Sequence, residues 1–282
     1  MKRILVPVNL RSDYENILGY AASVAVRSNA VLTVFYAGGT RLLKNKTRRV
    51  FSSDIPSEEM FREIRNPHIL AASQQIWESL SARNIQFEFK FATSSSIYEI
   101  IRETHESAYE LVIMGTHAAP GLRGYFRTAL ASRLIADVQA PVFIVPAKRD
   151  YNEIQHITYA VDLTEYDPQI ISQVKAIASM FDAKLTIVHV NSQEPREGNE
   201  KYMNSLEKTI SDTLDYPKVY YKFFDHADPL SGIKKFVDQN NINLLAMINR
   251  KKFSWKNFFS NPGFTHKMTR DGSVPILAFH KS

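Results

Sequence analysis

The sequence predicts an α/β protein built twice: two domains, each a five-stranded parallel sheet flanked by helices. Three observations carry this expectation. Residues 4–37 and 157–190 align without a gap at an offset of 153 residues. Ile4, Val8, Leu10, Ile17, Ala25, Ala30, Leu32 and Thr33 recur as Ile157, Val161, Leu163, Ile170, Ala178, Ala183, Leu185 and Thr186. A repeat this long marks a duplicated domain, since solenoid periods are about 20–50 residues. Short apolar runs alternate with segments of helical spacing in each half, which implies βαβ units and a parallel sheet. The runs ELVIM and LLAMI are almost wholly apolar, as strands buried on both faces should be.

The elements follow in order. ILVPV (4–8) is the first strand. Ile17, Ala21, Val24 and Ala25 then fall on one helical face, and AVLTVFY (30–36) is the second strand. Residues 38–56 read as an irregular, basic excursion, and a helix opens near Ser57-Glu58-Glu59. IQFEFKF (85–91) is the third strand. A helix with Ile97, Ile100 and Ile101 on one face leads to ELVIM (110–114), and one with Leu130, Leu134 and Val138 leads to PVFIV (141–145). AKRDYNEIQ (147–155) is polar and aperiodic, and so reads as a linker. The second half repeats the order with ITYAV, KLTIVHV, KVYYKFF, LLAMI and PILAF. The domains are therefore expected over 1–148 and 154–282.

At 282 residues, each half is long enough to bury its own core. The composition, 44% hydrophobic and 23% charged, is that of a globular protein. No apolar run approaches the ~20 residues of a membrane span. A strand beginning just after Met1-Lys2-Arg3 leaves no room for a signal peptide. With no cysteine, disulfides and thiol catalysis are excluded, and a reducing, cytoplasmic setting is expected. The net charge of +6 is concentrated in residues 1–148, with 18 Lys+Arg against 13 Asp+Glu. Much of that excess lies in RLLKNKTRR (41–49), which is read first as a solvated loop. A nucleic-acid contact there is not favoured. The cationic, aromatic stretch Arg250–Phe259 is likewise read first as packing.

In an open parallel sheet, ligands bind beyond the carboxyl ends of the strands. Those ends here are Pro7-Val8-Asn9, Ala37 with the glycines after it, and the loop that starts Met114-Gly115-Thr116-His117. That loop follows a buried strand and precedes a helix, where glycines and helix-terminal amides suit phosphate oxygens. MGTHAAPGLRGYF followed by a helix and APVFIVP, together with the opening ILVPVNLRSDYENILGYAASVA, resembles the universal stress protein family, and its tandem members most. The resemblance implies Rossmann-like (adenine nucleotide alpha hydrolase-like) domains packed as a pseudo-dimer, with the final strands PVFIV and PILAF paired edge to edge. It also implies a glycine pattern, G-x2-G-x9-G-S/T. On this chain the pattern falls on Gly115, Ala118, Thr128 and Ala129, so one position of four matches. Asn9 stands where the family usually has Asp, and Ala37 falls at the adenine-contacting position.

The binding residues implied for the first copy are Pro7, Val8, Asn9, Ala37, Met114, Gly115, Thr116, His117, Arg127 and Thr128. The second copy has Ala160 in place of the proline and Ile248 in place of the first glycine, whose branched side chain opposes close backbone approach. Enzyme chemistry finds little support. His117 lacks a nearby nucleophile and orienter, His189 reads as a packed histidine, and no metal-ligand spacing occurs. Asp167 beside Pro168 reads as a helix cap rather than a magnesium ligand. The expected function is a non-enzymatic, cytoplasmic stress-response protein acting through protein contacts, with eroded nucleotide loops and either no cofactor or ATP in the first domain alone. The alternative is an adenine-nucleotide sensor using the first domain. The partner protein is not named by the sequence, a homodimer stays open, and neither membrane nor nucleic acid is an expected partner.

Overall fold

The computed structural model describes residues 2–10, 14–38, 49–54, 57–92, 94, 97–115, 134–146, 150–161, 167–191, 207–208, 210–211, 214–249 and 274–280. The first half of the chain runs β1 (Arg3–Val8), α1 (Tyr14–Ser28), β2 (Val31–Tyr36), β3 (Arg49–Ser52), α2 (Ser57–Glu63), α3 (Pro67–Ser81), β4 (Phe87–Phe91), α4 (Ile97–Glu106), β5 (Leu111–Gly115) and β6 (Val142–Val145). The second half runs β7 (His156–Ala160), α5 (Pro168–Met180), β8 (Lys184–Asn191), β9 (Val219–Asp225), α6 (Pro229–Gln239), β10 (Leu244–Asn249) and β11 (Ile276–His280).

Local chemistry explains the helix boundaries. Three helices open on an Asx-Pro pair. The carboxyl or amide oxygens of Asn66, Asp167 and Asp228 accept from backbone N–H groups of the first turn, and the proline that follows needs no donor there. Asp167 is thus a cap. α1 and α5 end alike, with Asn29 (φ 52°) and Asp182 (φ 51°) in the left-handed region that short Asx side chains tolerate.

All ten expected strands are present and form one sheet of eleven, in the order β3-β4-β2-β1-β5-β6-β11-β10-β7-β8-β9. The additional strand is β3. It lies in the excursion read as irregular and pairs antiparallel with β4, Val50 opposite Lys90 and Phe51 opposite Phe89. Four residues with only two apolar side chains carry too little periodicity to be legible. The strand forms because β4 would otherwise expose a row of unpaired backbone groups. Residues 41–48 and 250–259, singled out above for charge and aromatics, lie outside the described residues.

The two halves join where β6 meets β11 antiparallel: Val142 opposite Ala278, Phe143 opposite Leu277, and Ile144 opposite Ile276. Phe143 and Leu277 are equivalent positions of PVFIV and PILAF, so they face each other on a local pseudo-twofold axis. Every other pair in the ladder is mapped onto its counterpart, as an isologous contact requires. Helices cover both faces of the sheet, and each of the two apolar cores draws side chains from both halves. On one face Phe87 and Phe89 pack against Trp77 of α3, whose ring centroid is 4.9 Å from that of Phe87, and Phe91 stacks on Phe89.

The segment after β6, read as a plain linker, is docked where the structure describes it. Tyr151 Cβ would lie 2.9 Å from a Cβ on Gly19, so only glycine fits in α1 at that point. The Tyr151 hydroxyl donates to Ser23 Oγ at 2.8 Å, and the Asn152 N–H donates to the Tyr20 hydroxyl at 3.3 Å. Ile154 is 1% exposed. Arg27 completes the clamp, reaching Glu153 at 2.6 Å and standing over the Phe181 ring at 4.9 Å. A polar composition hid this because three of the anchors are polar atoms bonded to α1.

Candidate functional site

The strand order within the first half, β4-β2-β1-β5-β6, places a topological switch point between β1 and β5. The crevice beyond their carboxyl ends is where such sheets take ligands. The register sets the level of each candidate residue. Val8 is opposite Tyr36 of β2, and Gly115 is opposite Val145 of β6. Ile4 is level with Leu111 and Leu5 with Val112, which continues to put Val8 beside Gly115. Pro7, Val8, Ala37, Met114 and Gly115 are buried and Asn9 is partly so. The structure therefore brings together six of the expected residues: Pro7, Val8, Asn9, Ala37, Met114 and Gly115. Thr116, His117, Arg127 and Thr128 lie outside the described residues, as do Ala118 and Ala129.

One detail of the site was not anticipated. The ladder between β1 and β5 ends at Leu5, although both strands run on to Val8 and Gly115. The Arg3 carbonyl accepts from Glu110 and the Lys2 carbonyl from Val31, so odd-numbered residues of β1 turn their backbone groups toward β5. Pro7 is one of these and has no N–H to give. The ladder thus stops three residues short of the strand end. In the second half Ala160 holds the equivalent place, and there the ladder between β7 and β10 runs through Ala160 opposite Met247. Ile248 then fills, with a buried branched side chain, the level at which the first half has Gly115. In the first crevice the ladder stops early and glycine stands at the end of β5; in the second the ladder runs on and Ile248 stands at that level.

A second feature missed in the sequence is a buried ionic cluster on the α4 side of the first half. The alternation F-E-F-K-F in β4 sends Phe87, Phe89 and Phe91 to one face and Glu88 and Lys90 to the other. Glu88 pairs with Arg3 and accepts from the Thr33 hydroxyl at 2.8 Å. Lys90 donates to Glu103 of α4 at 2.8 Å, and the Tyr109 hydroxyl donates to the same carboxylate oxygen at 2.5 Å. Glu103 is fully buried, and burial pushes the Tyr109 hydroxyl above its ordinary pKa. Aligned on β5 and β10, the second half has Phe236 where Glu103 stands and Ile242 where Tyr109 stands. Its helix is held instead by Phe236 stacked on Phe224, centroids 6.0 Å apart. The cluster spans the levels of Arg3 to Pro7 of β1, and two acids balance two bases. It fixes α4 on the sheet.

Two histidines of the second half are held by hydrogen bonds. His189 Nδ1 bonds the Val161 carbonyl at 3.0 Å. His156 Nε2 bonds the Thr186 hydroxyl at 2.8 Å, and burial, then the Lys184 charge, hold its pKa below the usual imidazole value.

Among solved structures, the fold is shared with a universal stress protein from Archaeoglobus fulgidus DSM 4304 (TM-score 0.62, 14% identity, 99% of this chain and 96% of that one). It is shared also with a functionally unknown protein from Pseudomonas aeruginosa PAO1 (TM-score 0.63, 15% identity, 99% and 92%). The cytoplasmic domain of a prokaryotic cation chloride cotransporter has the same fold at 10% identity (TM-score 0.59, 98% and 94%). No curated protein sequence matches the chain. The family model described as the Universal stress protein family matches residues 1–146, more than half of the 282. The doubly wound order, the switch-point residues and this match lead to one statement: the chain belongs to the universal stress protein family.

Proposed function

We propose that this chain is a tandem universal stress protein, with domains over 1–148 and 154–282, acting without catalysis in the cytoplasm through contacts with a partner protein. The observation that carries this reading is the unequal fate of the two switch points inside one jointly cored body. The second has Ala160 completing the ladder and the branched Ile248 buried where the family pattern has its first glycine, which opposes close backbone approach. The first keeps Gly115 alone of the four glycine-pattern positions, with Asn9 and Ala37 at the places of the family's Asp and adenine contact.

A second reading rests on Gly115 and on the ladder that stops at Leu5. In it Pro7, Val8, Asn9, Ala37, Met114 and Gly115 hold an adenine nucleotide in the first domain, with Thr116, His117, Arg127 and Thr128 completing the site. Such a ligand would add its phosphate charge to the crevice, and the chain's own part would be to fix it by backbone amides. Calorimetric titration of the purified chain with ATP separates the two readings. The leading reading expects no heat of binding. Saturable heat at one site per chain, abolished by Gly115→Val with the fold intact, would replace it with the nucleotide sensor.

A further inference from the structure

The two ends of the eleven-stranded sheet are finished differently. At one end β4 is covered by the short antiparallel β3. At the other end β9, the strand equivalent to β4, is seven residues long and, among the described residues, pairs with β8 alone. The connections explain the contrast. Residues 37–86, fifty in all, join β2 to β4 and supply β3, whereas residues 192–218, only twenty-seven, join β8 to β9. The second connection is thus twenty-three residues shorter than the first.

β9 also lacks the usual defences of an edge. It holds no proline and one lysine, and it is rich in half-buried aromatics. The Lys218 carbonyl accepts from the Leu185 N–H, and the His226 N–H donates to the Asn191 carbonyl. Even-numbered positions of this stretch therefore turn their backbone groups to β8, while Val219 and Phe223 turn theirs outward.

We propose that the outer edge of β9 is the self-association surface of this protein, pairing antiparallel with β9 of a second copy about a twofold axis at position 221. A twofold axis through an antiparallel pair requires a residue to face its own counterpart, so few registers exist. The register at 222 sets Lys222 against the partner's Lys222, like charges in direct opposition. The register at 221 exchanges backbone hydrogen bonds between Val219 and the partner's Phe223, twice by symmetry. It sets exposed Tyr220 against the partner's Lys222 at the closer, non-hydrogen-bonded spacing. A cation beside this ring has precedent within the chain, for Lys184 Nζ is 4.5 Å from the Tyr220 centroid. The contact continues the device that already joins the two halves at β6 and β11, antiparallel edge pairing about a twofold axis.

The test is sedimentation of the full chain over a range of concentrations, with two variants. The wild-type chain should pass from monomer to dimer as concentration rises. Val219→Pro removes an N–H that faces outward, so it should leave the circular dichroism and melting temperature unchanged while the dimer is lost. A chain that stays monomeric throughout, or a Val219→Pro chain that dimerises as well as wild type, overturns the proposal. Tyr220→Cys/Lys222→Cys places the only two cysteines of the molecule on directly opposed positions, so mild oxidation should give a disulfide-linked dimer. A dimer in sedimentation that fails to cross-link overturns the register.

Discussion

At the scale of single residues, charge burial separates the two halves. Lys90 and Glu103 are a buried pair with a hydrogen bond from Tyr109, and removing one partner strands the other. Lys90→Met should therefore lower stability by about 3–5 kcal/mol, while Lys90→Met with Glu103→Leu should recover much of that loss, because an apolar pair of similar volume suits the site. Denaturant midpoints at constant slope will show whether the second change restores what the first removed. His156 gives a pH dependence of known sign. Its folded pKa lies below its unfolded value, so the unfolded chain binds the extra proton first. Its contribution is present above about pH 6.5 and is lost as pH falls through the lowered folded value. His156→Gln should flatten the melting-temperature profile between pH 7.5 and pH 5. Neither feature was legible beforehand. Glu88 and Lys90 could be seen to share a strand face, but what stands across from them comes from α4 and from the turn before β5, which no local pattern joins.

At the scale of elements, most of the fold was legible for a simple reason. The strands of a buried parallel sheet are short and rich in branched or aromatic side chains, and Asx-Pro pairs announce helices. β3 was not legible, since its cause is the edge of β4 and not its own sequence. The early end of the ladder at the switch point was half legible: the change from Pro7 to Ala160 could be read, but its effect on the ladder needed the register. Pro7→Ala restores an N–H facing β5. Hydrogen exchange should then slow at the carboxyl end of β5, around Gly115, until it matches the end of β10, with a small gain in melting temperature. Unchanged exchange at Gly115 would mean that something other than the proline ends the ladder.

At the scale of the whole molecule, the two halves are one body. The cores run across the β6–β11 seam on both faces, and Arg27, Tyr151 and Ile154 tie α1 to the segment that leads into the second half. Because the chain has no cysteine, Phe143→Cys/Leu277→Cys tests the seam cleanly. The two positions are directly opposed, at a spacing an antiparallel ladder shares with disulfides. Oxidation should close an intrachain disulfide in nearly every molecule, and interchain products instead would place the seam between chains. The joint body also gives the unequal crevices their meaning: one switch point has Ile248 where the other has Gly115, and the other keeps one position of four of the glycine pattern.

The measurement that bears most directly on this account is the identity of what the protein carries when purified without added ligand. The chain would be denatured and the released material separated by chromatography with mass detection. The account predicts no adenine nucleotide above trace. Close to one adenine nucleotide per chain would contradict it, and would make the crevice between β1 and β5 a working site.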